Sequence, residues 1–517
     1  MISKEIVASA VDSVLKHIDG INSIKEEQLS AIEAICNRKD TVAFLLTGFG
    51  KSLIFQILPL VIKELGYGAL TQKNDVRSPR RPTVTPTYTA FYSQGQYRIT
   101  SLCLRQTRLS RALGMSHHSA RMAADLPVKL KLLTLNCWAI PFLSKLRKER
   151  IRHIGEEIST RDYDVVCLQE VWSSKDFKSL KDMLSDCLPY AYQFHSGVVG
   201  SAICVFSKSP ITEMFYHKYS ANGLPHFWHP GEWLTGSMVG LCRIIHHGIK
   251  INIYVTHLHE ETNAIKKYYY AHRLIQAYEL SQFIKFTTSE SSDVNVLMGD
   301  FNTEQHEGGY ELICKLIEMN DSWITQQSKA NEHSAGITCV SPSNPFTIPD
   351  ELKMWPNGAR IDYIFYNSSQ RYDVKCIETN VTMTKVPGKD YSYSDHEGVA
   401  TTLEIMPTEN QEKQRTSNSQ NEQNKVREHV LRHIRSELVE LKTRRLNWIF
   451  RIFLILGVVF AFLLLDIPGA NIVMSIAIVP TSFLLWYCIF MATLWWKSEE
   501  KSLRENLNLV ELELMNN

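Results

Sequence analysis

Residues able to bind a metal or move protons recur at the ends of apolar, β-branched runs between residues 129 and 406. Taken one at a time, such a residue is usually a solvated loop residue, because loops follow strands at the surface. Six such positions in one block are much harder to attribute to chance. In chain order they are Asn136, Glu170, His257, the pair Asp300 and Asn302, Asp362, and the pair Asp395 and His396.

The residue types indicate the chemistry. Carboxylate and amide oxygens without cysteine are suited to Mg²⁺ rather than to zinc. Imidazoles beside such an ion are suited to general acid and base catalysis on a phosphate ester. Strand ends that face one way place their terminal side chains around one pocket. The sequence therefore predicts a magnesium-dependent site at one edge of a sheet.

The order of these motifs resembles the endonuclease/exonuclease/phosphatase superfamily. The resemblance covers nearly all of residues 129–406 and implies a four-layer α/β sandwich (DNase I-like) that hydrolyses phosphate esters with Mg²⁺. The motifs are Leu135-Asn136, Gln169-Glu170, Thr256-His257, Gly299-Asp300-Phe301-Asn302, Arg360-Ile361-Asp362-Tyr363 and Ser394-Asp395-His396.

Four longer stretches resemble a narrower family, the neutral sphingomyelinases of the small two-transmembrane type. This resemblance implies that sphingomyelin, or another choline phospholipid in a bilayer, is hydrolysed to release phosphocholine and leave ceramide. The alternative substrates of a related hydrolase are a lysophospholipid, an inositol phosphate or nucleic acid, of which nucleic acid fits a membrane protein least. The four stretches are residues 135–141, 169–172, 196–208 and 256–259.

The resemblance also implies the ligands of the metal. Glu170 is expected to be the principal Mg²⁺ ligand, with Asn136 adjacent. Asp395 is expected to support the metal or the neighbouring His396. Because Mg²⁺ prefers about six near-octahedral oxygen ligands, waters and a phosphate oxygen should complete its shell.

Five residues are expected to carry the reaction. His396 is the candidate general base, with Asp362 orienting its imidazole. Asp300 and Asn302 are expected to position the attacking water and the non-bridging phosphate oxygens. His257 is the candidate for donating to the leaving ceramide oxygen or to the developing charge.

One loop departs from the family pattern, which usually has an acidic residue before a tryptophan and a lysine five positions later. Here Glu232 supplies the acid, but Ser237 stands in the lysine position, so a carboxylate–ammonium contact is unavailable. Phe227, Trp228 and Trp233 in the same region are candidates for binding choline by cation–π attraction. Packing in the core or against lipid explains these aromatic residues equally well.

Two apolar runs near the C-terminus, residues 448–465 and 472–496, are long enough to cross a bilayer. We predict two transmembrane helices within residues 447–496, and two buried core helices are the alternative. Lysines and arginines flank the pair on both outer sides, and the short turn between the runs has none. By the positive-inside rule, both termini and the catalytic domain are cytoplasmic, at an endomembrane or the plasma membrane.

Apolar stripes at helical spacing precede and follow these runs, in residues 425–446 and 497–517. They predict a juxtamembrane helix and a cytoplasmic helix that pair above the membrane. An amphipathic pair lying flat on lipid is the alternative. The stripes are Leu431, Ile434, Leu438 and Leu441, and Leu503, Leu507, Val510 and Leu514.

The remaining segments set the domain boundaries of this 517-residue chain. Residues 407–424 are polar and predict a disordered linker. Residues 67–128 predict a second disordered linker, which is basic because residues 71–128 hold nine Lys or Arg against two Asp. The whole chain nevertheless has a net charge of only +2, which argues against a protein that grips nucleic acid with its whole surface.

Residues 1–66 are expected to be helical, with one possible strand at 41–46. The Gly-rich sequence at 47–52, ending in Lys51-Ser52, can in principle cradle phosphates. The surrounding stretch resembles the first motifs of RecQ-type helicases. No Asp-Glu box or second helicase lobe follows, so a non-functional fragment is predicted.

Overall fold

The computed structural model describes residues 41–43, 87–93, 96–102 and 127–516, except 199, 224–234, 261–265, 289–291, 327–334, 409–416 and 465–469. The chain divides into two units, residues 1–121 and 122–517. Most of the helicase-like segment, including residues 47–52, lies outside the described residues.

In the first unit, three antiparallel strands form a sheet in the order β1-β3-β2. They are β1 (Thr41–Ala43), β2 (Thr87–Ser93) and β3 (Gln96–Leu102). The prediction of a disordered linker is wrong for β2 and β3. Their aromatic and β-branched residues favour strands. The high serine, threonine and proline content of the wider segment concealed this pattern.

The second unit contains two six-stranded sheets. Their strand orders are β14-β15-β4-β5-β7-β6 and β12-β13-β11-β10-β9-β8. The strands are β4 (Val128–Asn136), β5 (Val165–Gln169), β6 (Tyr190–Gln193), β7 (Cys204–Ser207), β8 (Ile211–Lys218), β9 (Met238–His246), β10 (Ile249–His257), β11 (Val294–Asp300), β12 (Asn320–Asp321), β13 (Asp362–Ser368), β14 (Tyr372–Thr382) and β15 (Gly398–Pro407).

Helices cover the outer faces of both sheets. Between the sheets, apolar side chains such as Leu132 and Ile253 form one buried core. Because the central strands are buried on both faces, they read as continuous apolar runs in the sequence. The four-layer α/β sandwich is therefore confirmed. The helices are α1 (Arg147–Ser159), α2 (Ser174–Met183), α3 (Lys266–Thr287), α4 (Gly308–Glu311) with the π-helical turn Leu312–Leu316, α5 (Ser322–Thr325) and α6 (Glu351–Met354).

Strand direction brings the polar strand ends together. β4 and β5 are parallel, with Asn136 opposite Gln169. β10 and β11 are also parallel, with His257 opposite Asp300. β13 runs antiparallel to β11 and places Asp362 opposite Asp300. One edge of the sandwich therefore carries these residues predicted for the active site, and we refer to it as the catalytic edge.

The C-terminal region is helical: α7 (Ser417–Leu464), α8 (Ala470–Phe490), the π-helical turn Met491–Trp495 and α9 (Trp496–Met515). α7 is continuous across the predicted juxtamembrane and transmembrane segments and begins inside the predicted linker 407–424, which is therefore wrong for residues 417–424. Glu422 lies 3.3 Å from Lys315, and Gln423 donates a hydrogen bond to Glu318. These contacts with the sandwich help to hold the polar start of the helix.

The two apolar stripes of α7 and α9 meet as predicted, but they also pack on α3 of the sandwich. Polar contacts join α3 to α9: His272 with Glu499 at 3.4 Å, Glu279 with Asn506 at 2.9 Å, and Lys285 with Glu513 at 2.7 Å. The contact positions advance by six or seven residues along both helices. α9 therefore runs parallel to α3, an arrangement that the sequence did not predict.

Beyond this contact, large apolar side chains of α7 and α8 face outwards. Ala477–Met515 is one helical stretch in the described part of the chain with the length and composition needed to cross a membrane. Exposed residues of this region include Phe450, Phe453, Phe460, Phe483, Trp486 and Leu494. The predicted turn of the hairpin lies mostly outside the described residues.

A buried ion pair network stabilises the contact between the helices and the sandwich. Arg444 contacts Glu437 at 2.5 Å and Glu499 at 3.0 Å. Burial raises the pKa of Glu437, and the Arg444 guanidinium opposes this rise. The guanidinium thus separates two buried carboxylates that would otherwise face each other.

We expect Arg444→Met to destabilise the folded protein by about 3–5 kcal/mol, because it removes the buried guanidinium that Glu437 and Glu499 share. The measurement is the midpoint of thermal unfolding of the purified full-length protein in one detergent. Arg435→Met is the matched control, since Arg435 is exposed and pairs with Glu511 at the surface, where an ion pair contributes about 1 kcal/mol or less. Equal midpoints for the two variants would contradict the expectation.

Candidate active site

The side chain of Asn136 links both sheets at the catalytic edge. Its Nδ2 donates to Glu170 Oε1 at 3.0 Å and to Asp300 Oδ2 at 3.0 Å. Its Oδ1 accepts from the backbone N–H of Trp138 at 3.0 Å. Asn136 therefore orients the two carboxylates in this structure, and its direct binding of a metal stays a prediction.

His396 and Asp362 form a buried dyad. His396 Nδ1 lies 2.9 Å from Asp362 Oδ2, and its Nε2 lies 3.9 Å from Asp300 Oδ2. Burial alone would lower the pKa of His396, but Cys339 and the carboxylates of Asp362 and Asp300 outweigh burial and hold this pKa well above its usual value. Burial raises the pKa of Asp362 to about 6.

His257 lies at the more open side of the same cluster. Its Nε2 is 3.4 Å from Asp300 Oδ2 and 3.3 Å from Asn302 Nδ2. The side-chain amide of Asn302 also donates to Leu258 O at 3.0 Å, and the backbone N–H of Asn302 donates to Asp300 Oδ1 at 2.9 Å. Asp300 Oδ2 is thus within 4 Å of both histidines, so the structure brings the two predicted proton-transfer groups to one carboxylate oxygen.

Several of these residues have an unusual backbone conformation. Glu170 and Asn302 have φ values of 58° and 46°, in the left-handed region that residues other than glycine rarely adopt. Gly299, just before Asp300, has φ 152°, and an added Cβ would lie 2.0 Å from Thr256 O on β10. Such conformations cluster at functional sites, where the surrounding fold maintains them.

The residues fit a hard divalent cation. Glu170 Oε2 is shielded from solvent and has no hydrogen-bond partner among the described residues, which is unfavourable for a carboxylate oxygen without a cation. Burial raises the pKa of Asp395 to about 6, and the nearby charge of Glu170 adds to this rise. A cation here would relieve both effects, and its ligands would be oxygens, as Mg²⁺ prefers. Among the described residues, the ligand atoms of Asp300, Asp362 and His396 lie within 4.8 Å of one another, and the binding of the ion by Glu170 and Asp395 stays a prediction.

Two residues that support the site were missed at the sequence level. Arg150 of α1 is fully buried and donates to the carbonyl oxygens of Cys137, Trp138 and Tyr393. It thereby ties the loop after β4 to the segment before Asp395 and His396. Its acceptors are backbone atoms distant in the chain, so no side-chain pattern in the sequence could indicate this role.

Glu397, the second missed residue, directly follows His396. It is buried, accepts from Asn344 Nδ2 at 3.2 Å, and burial raises its pKa to about 7. Its position after the Ser-Asp-His motif was the available signal.

Some residues from the recognised motifs lie elsewhere or are not described. His259 packs on Tyr269, with ring centroids 4.0 Å apart, and its backbone N–H donates to Gln276, so it supports the start of α3. Ser237 Oγ lies 3.3 Å from Thr235 Oγ1. The acid and aromatic residues predicted for this loop lie outside the described residues; they are Glu232, Phe227, Trp228 and Trp233.

Comparisons with known proteins agree on one family. Residues 133–396, which contain every predicted site residue, match the Endonuclease/Exonuclease/phosphatase family. Sphingomyelin phosphodiesterase 2 of Mus musculus is 38% identical over 318 residues, which span 61% of this chain and 75% of that protein. The Homo sapiens protein of the same name is 40% identical over 54% of this chain and 66% of that protein. Inositol phosphosphingolipids phospholipase C of Schizosaccharomyces pombe is 33% identical over 55% of this chain and 70% of that protein.

We expect Glu170→Gln to weaken the binding of a divalent cation at least about tenfold, because it replaces a shielded anionic oxygen with a neutral amide. The measurement is the free Mn²⁺ concentration, read by electron paramagnetic resonance, with Mn²⁺ standing in for Mg²⁺. Glu378→Gln, on the exposed surface of β14, is the control and should bind like the wild type. An unchanged affinity in Glu170→Gln would rule out Glu170 as a principal ligand.

Proposed function

The chain belongs to the endonuclease/exonuclease/phosphatase family, and we propose that it hydrolyses sphingomyelin to ceramide and phosphocholine with Mg²⁺ at a membrane surface. The observation that carries this proposal is the cluster of Glu170, Asn136 and Asp300 beside the His396–Asp362 dyad. The similarity to the two mammalian sphingomyelin phosphodiesterases supports the choice of substrate.

In this mechanism a water attacks phosphorus on the side opposite the ceramide oxygen. His396 Nε2 accepts a proton from the water, while Nδ1 stays bound to Asp362, whose charge stabilises the resulting imidazolium. To act in this way His396 must first be neutral. Bound Mg²⁺ supplies positive charge, which offsets the carboxylates and the charge developing on the phosphate oxygens. Glu170 and Asp395 would hold the ion.

The other residues serve the leaving group. His257 Nε2 donates a proton to the ceramide oxygen as the bond between phosphorus and that oxygen breaks. Asn302 and Asp300 lie within 3.4 Å of this imidazole and hold its orientation. The products are phosphocholine, which carries the oxygen of water, and ceramide, which carries the donated proton.

A second substrate class follows from one of the relatives. The fission yeast relative is named for inositol phosphosphingolipids, so a phosphosphingolipid with an inositol head group is the alternative. The two substrates share a phosphate ester and a ceramide body and differ in head-group charge. The aromatic residues predicted to bind choline would favour sphingomyelin.

The membrane attachment is part of the proposal. We infer a two-helix transmembrane hairpin, with both termini and the catalytic unit on the cytoplasmic side. The outward-facing apolar side chains of α7 and α8 support it, as do the flanking lysines and arginines. The membrane is an endomembrane or the plasma membrane.

We expect the purified full-length protein to release phosphocholine from sphingomyelin vesicles, to lose this activity in EDTA, and to regain it with Mg²⁺. Asp362→Asn should lower the rate about 10²–10⁴-fold, because the general base loses its partner, and should shift the pH profile. Asp373→Asn, at an exposed position of β14, is the control.

No phosphocholine release by the wild type would refute the proposed substrate. Parallel assays with an inositol phosphosphingolipid, a lysophospholipid and plasmid DNA identify the alternative. Full activity of Asp362→Asn would refute the assigned base.

We expect deletion of residues 1–121 to leave the specific activity within about twofold of the full chain. All the site residues and their described partners lie in the unit 122–517, so no catalytic group is lost. The same vesicle assay measures this. A large loss of activity in a folded truncated protein would show that the first unit contributes to catalysis.

A further inference from the structure

The catalytic edge and the proposed membrane helices lie on the same side of the sandwich. α3 follows β10, whose C-terminal end carries His257 at the catalytic edge. α9 runs parallel to α3 and begins at Trp496, next to the apolar segment. The first turn of α3 therefore points towards the membrane, and its last turn, around Lys285, points away from it.

The level of the catalytic edge along these helices follows from the spacing of the contacts. Lys266, the first residue of α3, precedes His272 by six positions, or about 9 Å at 1.5 Å per residue. Because His272 contacts Glu499, the same displacement along the neighbouring helical segment reaches residue 493, inside the apolar run. His259, two residues after His257, stacks on Tyr269 and donates its backbone N–H to Gln276, so the catalytic edge lies beside the half of α3 that faces the start of α9.

An apolar loop leaves the sandwich at this edge. It follows Asn136 and exposes Phe142 completely and Leu143 by 74%. The loop is held firmly: Arg150 donates to Trp138 O and Lys145 O, and Trp138 packs on Phe346. Phe142 itself has a left-handed φ of 68°. The fold therefore maintains an arrangement that presents large apolar side chains to the outside.

The charges beside this loop suit a phospholipid surface. Lys145 and Lys148 are exposed and follow Phe142 within six positions. A nearby loop adds Ile348, which is also exposed and lies two residues after Phe346. Apolar tips flanked by lysines match an interface where acyl chains meet phosphate groups, because each part of the loop then finds a favourable partner.

We propose that Phe142 and Leu143 enter the lipid bilayer that holds the helical hairpin, as a second attachment that keeps the catalytic edge against the surface. This inference rests on the proposed function through the membrane location of the hairpin. The attachment keeps the His396–Asp362 dyad close to the lipid head groups, because the loop that enters the lipid begins at Asn136 of the same site. Its contribution appears with substrate in a bilayer and is absent with a soluble substrate.

The test uses full-length protein reconstituted in vesicles of phosphatidylcholine and sphingomyelin. Phe142→Asp should lower the rate on bilayer sphingomyelin about tenfold, since it places a charge where the apolar ring would enter lipid. Phe142→Trp should keep the rate, because tryptophan suits the interface. The same preparations should hydrolyse a short-chain, water-soluble sphingomyelin within twofold of the wild type.

Phe286→Asp is the matched control. Phe286 is 81% exposed but lies in the last turn of α3, at the end that points away from the membrane. This variant should leave both rates unchanged. An unchanged bilayer rate in Phe142→Asp, or an equal loss on both substrates, would overturn the proposal. A defect seen in cell membranes but not in purified vesicles would overturn it too, since it would indicate a protein partner.

A second measurement is independent of catalysis. Each variant Phe142→Trp and Phe286→Trp adds the fluorescence of one tryptophan to that of the wild type. Lipids with brominated acyl chains should quench this added fluorescence in Phe142→Trp and leave it unchanged in Phe286→Trp. Equal quenching of the two variants would overturn the lipid contact. If the wild type hydrolyses neither substrate while the quenching is as expected, the proposed function fails and the membrane contact stands.

Discussion

The hydrogen bonds of the Asn136 side chain are the constraint on which the site depends. One amide group donates to Glu170 and to Asp300, which come from different sheets of the sandwich. The two carboxylates are thus held as neighbours despite their like charges, and the arrangement favours a cation between or beside them. Because the amide oxygen accepts from Trp138, the side chain has little freedom to turn.

The negative charge assembled in this way accounts for the behaviour of His396. Asp362 and Asp300 together raise the pKa of its imidazole, and Asp362 holds its orientation. In the proposed mechanism, His396 acts as a base only after part of the surrounding negative charge has been neutralised. The shielded Glu170 oxygen and the raised pKa of His396 both favour the binding of a cation in this site, as proposed above.

The helices at the C-terminus extend this organisation beyond the sandwich. Their apolar stripes are shared with α3, and buried charges of Arg444, Glu437 and Glu499 fix the contact. Because α3 begins beside the strand that carries His257, the orientation of the helices and the orientation of the site are coupled. Attached in this way, the sandwich presents its catalytic edge towards the level of the apolar helical segment.

The sequence by itself indicated the central strands of the sandwich and the residues predicted for the site, and the resemblance to the family implied the layers. The side chains predicted for the site end, interrupt or precede continuous apolar runs, so their types and spacing could be read from short stretches of sequence. The four layers followed from the order of motifs that resembles the family. The prediction of disorder was wrong for β2 and β3, because the polar composition of the wider segment concealed their strand pattern. It was also wrong for residues 417–424, because their contacts with the sandwich cannot be read from a polar composition. The tertiary structure alone decided the amide bridge of Asn136, the anchoring of the site by Arg150, and the packing of α7 and α9 on α3. These depend on atoms distant in the chain, including backbone carbonyls that no residue pattern encodes, and therefore arise only when the two sheets and the helices come together.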